Sequence, residues 1–154
     1  MLALMKILLY GIGGLAAVIV LLLVGLSLAS RKQPELGLVD GRLRPCPHSP
    51  NCVCSEWPQQ GAFVEPLVFT TTASEAWRLA KQAITASGGE IVMEEGGYLH
   101  ARYVTPILRF VDDLELRLDA AAQVIHVRSA SRVGHSDLGA NRKRVARLRA
   151  AFNP

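Results

Sequence analysis

Apolar and polar positions divide the chain into one long uncharged run followed by shorter periodic segments. Ile7 to Ala29 carries no charge and is dominated by Leu, Val, Ile, Gly and Ala. As a helix at about 1.5 Å per residue it would reach roughly 34 Å, enough for a bilayer core of about 30 Å. Farther on, Val64 to Phe69 reads as a strand. Thr72 and Glu75 form a capping-box pattern, and the helix they open places Ala76, Trp77, Ala80, Ala83 and Ile84 on one face before Ser87, Gly88 and Gly89 end it. Glu90 to Glu94 and Tyr98 to Thr105 read as strands joined by a Gly96–Gly97 turn, with pairing interrupted at Pro106.

The clearest alternation follows. Leu114, Leu116 and Leu118 point one way and Asp113, Glu115, Arg117 and Asp119 the other, as in an antiparallel sheet wet on one face. After a turn through Ala120 to Gln123, Val124, His126 and Arg128 alternate with Ile125, Val127 and Ser129. A final helix, capped by Ser136 or Asp137, sets Leu138, Val145, Leu148 and Phe152 on one side. The predicted fold is α+β: a two-layer antiparallel sheet in the order β-α-β-β-β-β-α with its helices on one face, preceded by one transmembrane helix. Residues 1–30 form the anchor or signal segment and residues 31–154 a single domain.

Two readings of the apolar run compete. Ser27, Leu28 and Ala29 offer small residues at a spacing signal peptidase accepts, but the run is longer than the usual signal core, which favours an uncleaved anchor. The net charge is +4, and Arg128 to Pro154 alone carries six Arg, one Lys and a single acid. Such a tail can meet phosphate groups or simply form a solvated basic helix face. With no aromatic residues among these cations to stack on bases, nucleic acid is not expected as a partner.

All three cysteines fall in the Pro-rich stretch from Arg44 to Trp57. A Cys46–Cys52 disulfide would close a short loop and leave Cys54 unpaired, and it would need an oxidising compartment. Free structural thiols are one alternative. Zinc-type ligation by Cys46, His48, Cys52 and Cys54 is another, although the spacing is not that of a common zinc finger.

Ser129 to Asp137 contains Ser, His and Asp, but no nucleophile elbow, and His135, Ser136 and Asp137 are sequence neighbours that do not easily converge; no catalytic residue and no cofactor is assigned. The stronger candidate is an anion-binding site made by Arg128, Ser129, Ser131, Arg132, Asn141 and Arg142, since Arg forks grip carboxylate or phosphate two-pronged and the helix start offers N–H groups. The competing reading is an internal network in which Asp112, Asp113 and Asp137 neutralise those Arg residues, with Arg109 as partner of Asp112.

GLVDGRLRPCPHSPNCV from Gly37, YLHARYV from Tyr98, RFVDDLEL from Arg109 and VIHVRSASRVGHSDLGANRKRV from Val124 together resemble the DUF1499 family, over about Leu36 to Arg149. The resemblance implies a small envelope or organellar protein preceded by a signal or an anchor, and it supplies no activity. Against the family pattern, Cys54 stands where Ser is usual, Pro106 falls in the turn before RFVDD, and His135 replaces a common Tyr.

The resulting expectation is a non-enzymatic domain held by residues 7–29 on the periplasmic side of a bacterial inner membrane, binding a protein partner or an anionic ligand or lipid. A thiol-redox or metal-binding protein using the cysteine cluster, or an accessory subunit of a membrane complex, are the alternatives. Arg31 and Lys32 after the apolar run favour a cytoplasmic domain by the positive-inside rule, whereas the cysteine pair favours the outside.

Overall fold

The alternating segments pair as their periods predict. In the computed structural model, which describes residues 1–58 and 61–153, strands β5 (Glu90–Glu95), β6 (Tyr98–Val104), β7 (Val111–Asp119) and β8 (Val124–Ser131) form an antiparallel meander. Gln59, Gln60 and Pro154 of the expected 31–154 domain lie outside the described residues. Register is set by side-chain parity: Leu114 faces Ser129, Leu116 faces Val127, and Glu115 faces Arg128. Gly96 and Gly97, both at positive φ, make the tight β5–β6 turn.

Helix α2 (Ala73–Ala86) starts with one half of the capping pattern, the Glu75 N–H donating to Thr72 Oγ1 at 3.3 Å while the Glu75 carboxylate pairs with Arg78, and it buries the five residues named from its period. After it, Gly89 lets the chain pass close to the sheet, since a Cβ there would sit 2.7 Å from both Ile84 and the Tyr103 ring. α2 and α3 (Ala140–Ala151) cover the sheet face that carries Leu99, Ala101, Leu114, Leu116, Ile125 and Val127. The α+β architecture with helices on one face is therefore observed. The N-terminal helix α1 (Leu2–Ser30) is long and apolar enough to cross a membrane.

The structure departs from the sequence expectation in four places. The expected first strand shrinks to β4 (Leu67–Val68). The Pro-rich cysteine stretch, which the predicted order left without a strand, contributes an edge strand, β3 (Cys52–Cys54), in a triplet free of the prolines that precede it. β3 and β4 share the outer edge of β8. A small hairpin, β1 (Leu38–Val39) with β2 (Arg42–Leu43), turns at Asp40 and Gly41 with positive φ.

Third, the sheet face expected to be wet is covered. Leu43, Cys54 and Tyr98 form a second small core there, with Cys46 and Trp57 packed against it. Fourth, Leu138 does not join the apolar side of α3. It is 88% exposed at φ +52, because the helix begins only after Gly139. Asn141 and Arg144 turn inward with Val145, Leu148 and Phe152.

Candidate functional site

Acidic side chains of the covered face are each met by a cation. On β7, Asp113 accepts from Arg132 Nε at 2.8 Å and Nη2 at 2.7 Å, and lies 2.8 Å from His100 Nε2. Burial alone would push the Asp113 carboxyl up; the bonds from His100 and Arg132 outweigh it and hold the pKa below the usual value. Glu115, with no exposed surface, takes the Tyr98 hydroxyl at 2.7 Å, the Gly37 N–H at 2.8 Å and Arg128 Nη1 at 2.7 Å. Burial, then the Glu115 charge, pushes the Tyr98 phenol well above its ordinary range. Glu56, from the segment laid over this face, receives Arg117 at 3.0 and 2.6 Å and the Leu43 N–H.

The helix-covered face has its own polar knot. Arg144 reaches Asp112, Ser129 and Asn141, and its guanidinium stacks 4.7 Å from the Tyr103 ring centre. Asn141 also donates to Ser131 Oγ at 3.0 Å and to the Asn51 carbonyl at 2.9 Å. Asn51 in turn donates to the Gly134 carbonyl at 2.6 Å. The loop ahead of β3 is thereby stapled to the turn before α3.

Asp137 caps α3. Its carboxylate accepts the N–H groups of Gly139 at 2.9 Å and Asn141 at 2.7 Å, and these bonds outweigh burial and lower its pKa. The helix start expected to receive an anion is already occupied by the chain's own carboxylate.

The six residues expected to line one anion pocket do not converge. Arg128 lies on the covered face, and Ser129 and Ser131 point to the helices, as strand parity demands. Arg128 is matched by Glu115 and Arg132 by Asp113, while Asn141 belongs to the Arg144 knot. Arg142 alone faces outward, donating to the Phe63 carbonyl at 3.1 Å. The expected pairing of Arg109 with Asp112 is also not found: Asp112 points to the helix face and is taken by Arg144, and Arg109 sits exposed in the β6–β7 loop.

Arg142 opens onto a cleft of about 600 Å³. One wall is the loop with Cys46, Pro47, His48 and Ser49; another is formed by Ser136, Asp137 and Gly139. The loop is closed by the Cys46–Cys52 disulfide, with Cα atoms 5.6 Å apart, so the free-thiol and metal readings fail for these two sulfurs. Cys54 is a free thiol, 1% exposed, and burial raises its pKa. That environment is opposite to the one that activates a thiolate.

One grouping escaped the sequence. Ser55 Oγ lies 3.2 Å from His126 Nδ1, and His126 Nε2 lies 3.9 Å from Glu56. It is not arranged for nucleophilic attack. The Ser55 hydroxyl is buried and accepts the Val127 N–H at 2.9 Å, and Glu56 is already held by Arg117. Burial lowers the His126 pKa against the pull of Glu56. His135, part of the sequence-neighbour trio, is exposed in the turn before α3.

The family described as "Protein of unknown function (DUF1499)" matches residues 42–152, well over half of the chain. The chain belongs to the DUF1499 family. The DUF1499 match begins at β2 and so takes in the disulfide loop, both charged faces and the cleft, but not α1. No curated protein and no solved structure matches the chain.

Proposed function

We propose that this DUF1499 chain is a membrane-tethered recognition domain that takes a small ligand, through an anionic group, in the cleft between the disulfide loop and the start of α3. The observation that carries this reading is the contrast among the arginines. Arg117, Arg128, Arg132 and Arg144 are paired with carboxylates under cover. Arg142 reaches the cleft with a backbone carbonyl as its partner and, among the described residues, no carboxylate. Its fork suits a carboxylate or phosphate, and His48 and Ser49 add polar groups from the neighbouring loop.

The cleft is held open by covalent and hydrogen-bonded struts. The disulfide fixes one wall, Asn51 ties it to Gly134, and Asp137 neutralises the helix end on the other. Walls fixed in advance lower the ordering cost of binding.

Two features support an uncleaved anchor facing an oxidising compartment, the periplasm if the membrane is a bacterial inner membrane. Ser27 and Ser30 of α1 are buried against the rest of the chain, so the helix end is part of the fold. A persistent disulfide favours the oxidising side, and this outweighs the opposing pull of Arg31 and Lys32.

The test is capture of the full-length chain from its native membrane in mild detergent, beside the variant Arg142→Ala, with bound molecules identified by mass spectrometry. The proposal expects a phosphate- or carboxylate-bearing species on the wild type that the variant loses. Equal recovery from both, or none from either, contradicts it.

A further inference from the structure

We propose that the β6–β7 loop, Thr105 to Phe110, dips into the surface of the same bilayer that α1 crosses, giving the protein a second attachment beside its helix. The inference rests on α1 being held in a membrane, and it adds where the folded body stands on that membrane.

The loop is built to display apolar side chains. The Thr105 N–H donates to the Phe110 carbonyl at 2.9 Å, the Arg109 N–H to the Thr105 carbonyl at 3.1 Å, and the Phe110 N–H to Thr105 Oγ1 at 2.9 Å. Pro106 stiffens the entry and Arg109 turns the exit at φ +57. Locked in this way, the loop leaves Ile107 90% exposed, with Leu108 exposed beside it.

Its position follows from the anchor. The residue after the loop, Val111, donates its N–H to Ser30 Oγ at 3.1 Å, and Arg132 donates to the carbonyls of Ser30 and Arg31 at 3.3 Å each. With Ile7 to Ala29 in hydrocarbon, Ser30 lies at headgroup level, and the loop leaves the sheet at that level.

The helix carries a matching trace. Leu23, Ser27 and Ser30 share one face by their spacing of four and three. Ser27 and Ser30 are buried and Leu23 half-buried, while the other residues of these turns are exposed. Part of the folded body therefore lies along about 10 Å of the helix, on the membrane side of Ser30.

Charge selects lipid as the occupant. Arg31, Lys32 and Arg109 are exposed around this junction. Cations near an anionic lipid surface contribute about 1 kcal/mol each, and apolar tips ringed by cations are the pattern of interfacial segments.

The experiment uses the full chain in phosphatidylcholine vesicles with and without phosphatidylglycerol. Nitroxide labels are placed through Leu15→Cys in mid-helix, Ile107→Cys in the loop, and Glu95→Cys at the far end of the sheet. All three sites are exposed, and buried Cys54 stays unlabelled. Collision with oxygen is compared with collision with a water-soluble nickel reagent. The expected result is Leu15 in hydrocarbon, Glu95 in water, and Ile107 immersed on the order of 5–10 Å at the headgroup boundary, deeper when phosphatidylglycerol is present. A lipid-buried Leu15 label with a water-exposed Ile107 label overturns the inference and leaves the anchor intact. A water-exposed Leu15 label overturns both.

Discussion

The backbone N–H of Val111 donates to the side-chain hydroxyl of Ser30, 81 positions earlier, at 3.1 Å. That bond joins the last residue of α1 to the first residue of a central strand. Arg132 reinforces it, bridging Asp113 in the covered face to the carbonyls at the end of α1. A cation at a helix C-terminus also favours the negative end of the helix dipole. The helix is thus coupled to the sheet through the Ser30 hydroxyl and one charged side chain.

Removing that side chain has two consequences. Arg132→Ala leaves Asp113 buried with only His100 beside it and removes two of the bonds that hold the end of α1, leaving the Ser30–Val111 bond. The expected loss is about 3 to 5 kcal/mol, read by urea denaturation in detergent, together with new proteolytic cleavage between Arg31 and Leu36. Unchanged stability with an unaltered cleavage pattern would contradict the coupling.

Opening the disulfide weakens the cleft wall more than the core. Cys46→Ser with Cys52→Ser is expected to lower stability by about 2 kcal/mol from loop closure alone and to abolish ligand retention. Native alkylation of the wild type should leave Cys54 unmodified until denaturant is added, since the thiol is buried and its pKa raised. Rapid alkylation in the native state would place Cys54 at the surface instead.

Acid should weaken the fold in two stages. Asp113, Asp137 and His126 all have folded pKa values below their ordinary ones. Between the folded and unfolded values the unfolded chain holds more protons, so stability falls as pH drops through that window. For His126 the fall begins at about pH 6.5, and for the two carboxyls near pH 4. Above about pH 6.5 all three contributions are complete. His126→Gln should remove the upper stage of the melting-temperature profile and keep the lower one. A melting temperature that rises on acidification below about pH 6.5 is the opposite outcome.

Close packing at Gly89 gives a further check. Gly89→Ala drives a methyl group into Ile84 and Tyr103, and overpacking of this kind costs about 1 to 3 kcal/mol. A melting temperature equal to that of the wild type would show that Tyr103 can move aside.

Local rules made much of the fold legible. Thr72 with Glu75, the Gly96–Gly97 pair and the Leu114–Leu116–Leu118 alternation each act within a few residues, so α2, the hairpin and β7 follow from sequence. The cover on the second face does not. Asp113, Glu115 and Arg117 alternate with leucines in the same way whether they meet water or buried partners, and Glu115 finds its partners at Gly37, Tyr98 and Arg128. The segment that seals them carries no period of its own.

Parity puts Arg128 and Ser129 on opposite faces of β8, and nearness in the motif does not bring them together. Arg144 reads as part of the solvated face of a basic helix, because nothing local signals a buried carboxylate 32 residues before it. Ser55 and His126, 71 positions apart, had no shared signal at all.

The division between sealed arginines and the one that reaches the cleft is tested most directly by urea denaturation of Arg128→Met beside Arg142→Ala. Arg128→Met strands a buried Glu115 and is expected to lose about 3 to 5 kcal/mol, whereas Arg142→Ala stays within about 0.5 kcal/mol of the wild type. A chain that tolerates the loss of Arg128 but unfolds on the loss of Arg142 would reverse these roles and contradict the account.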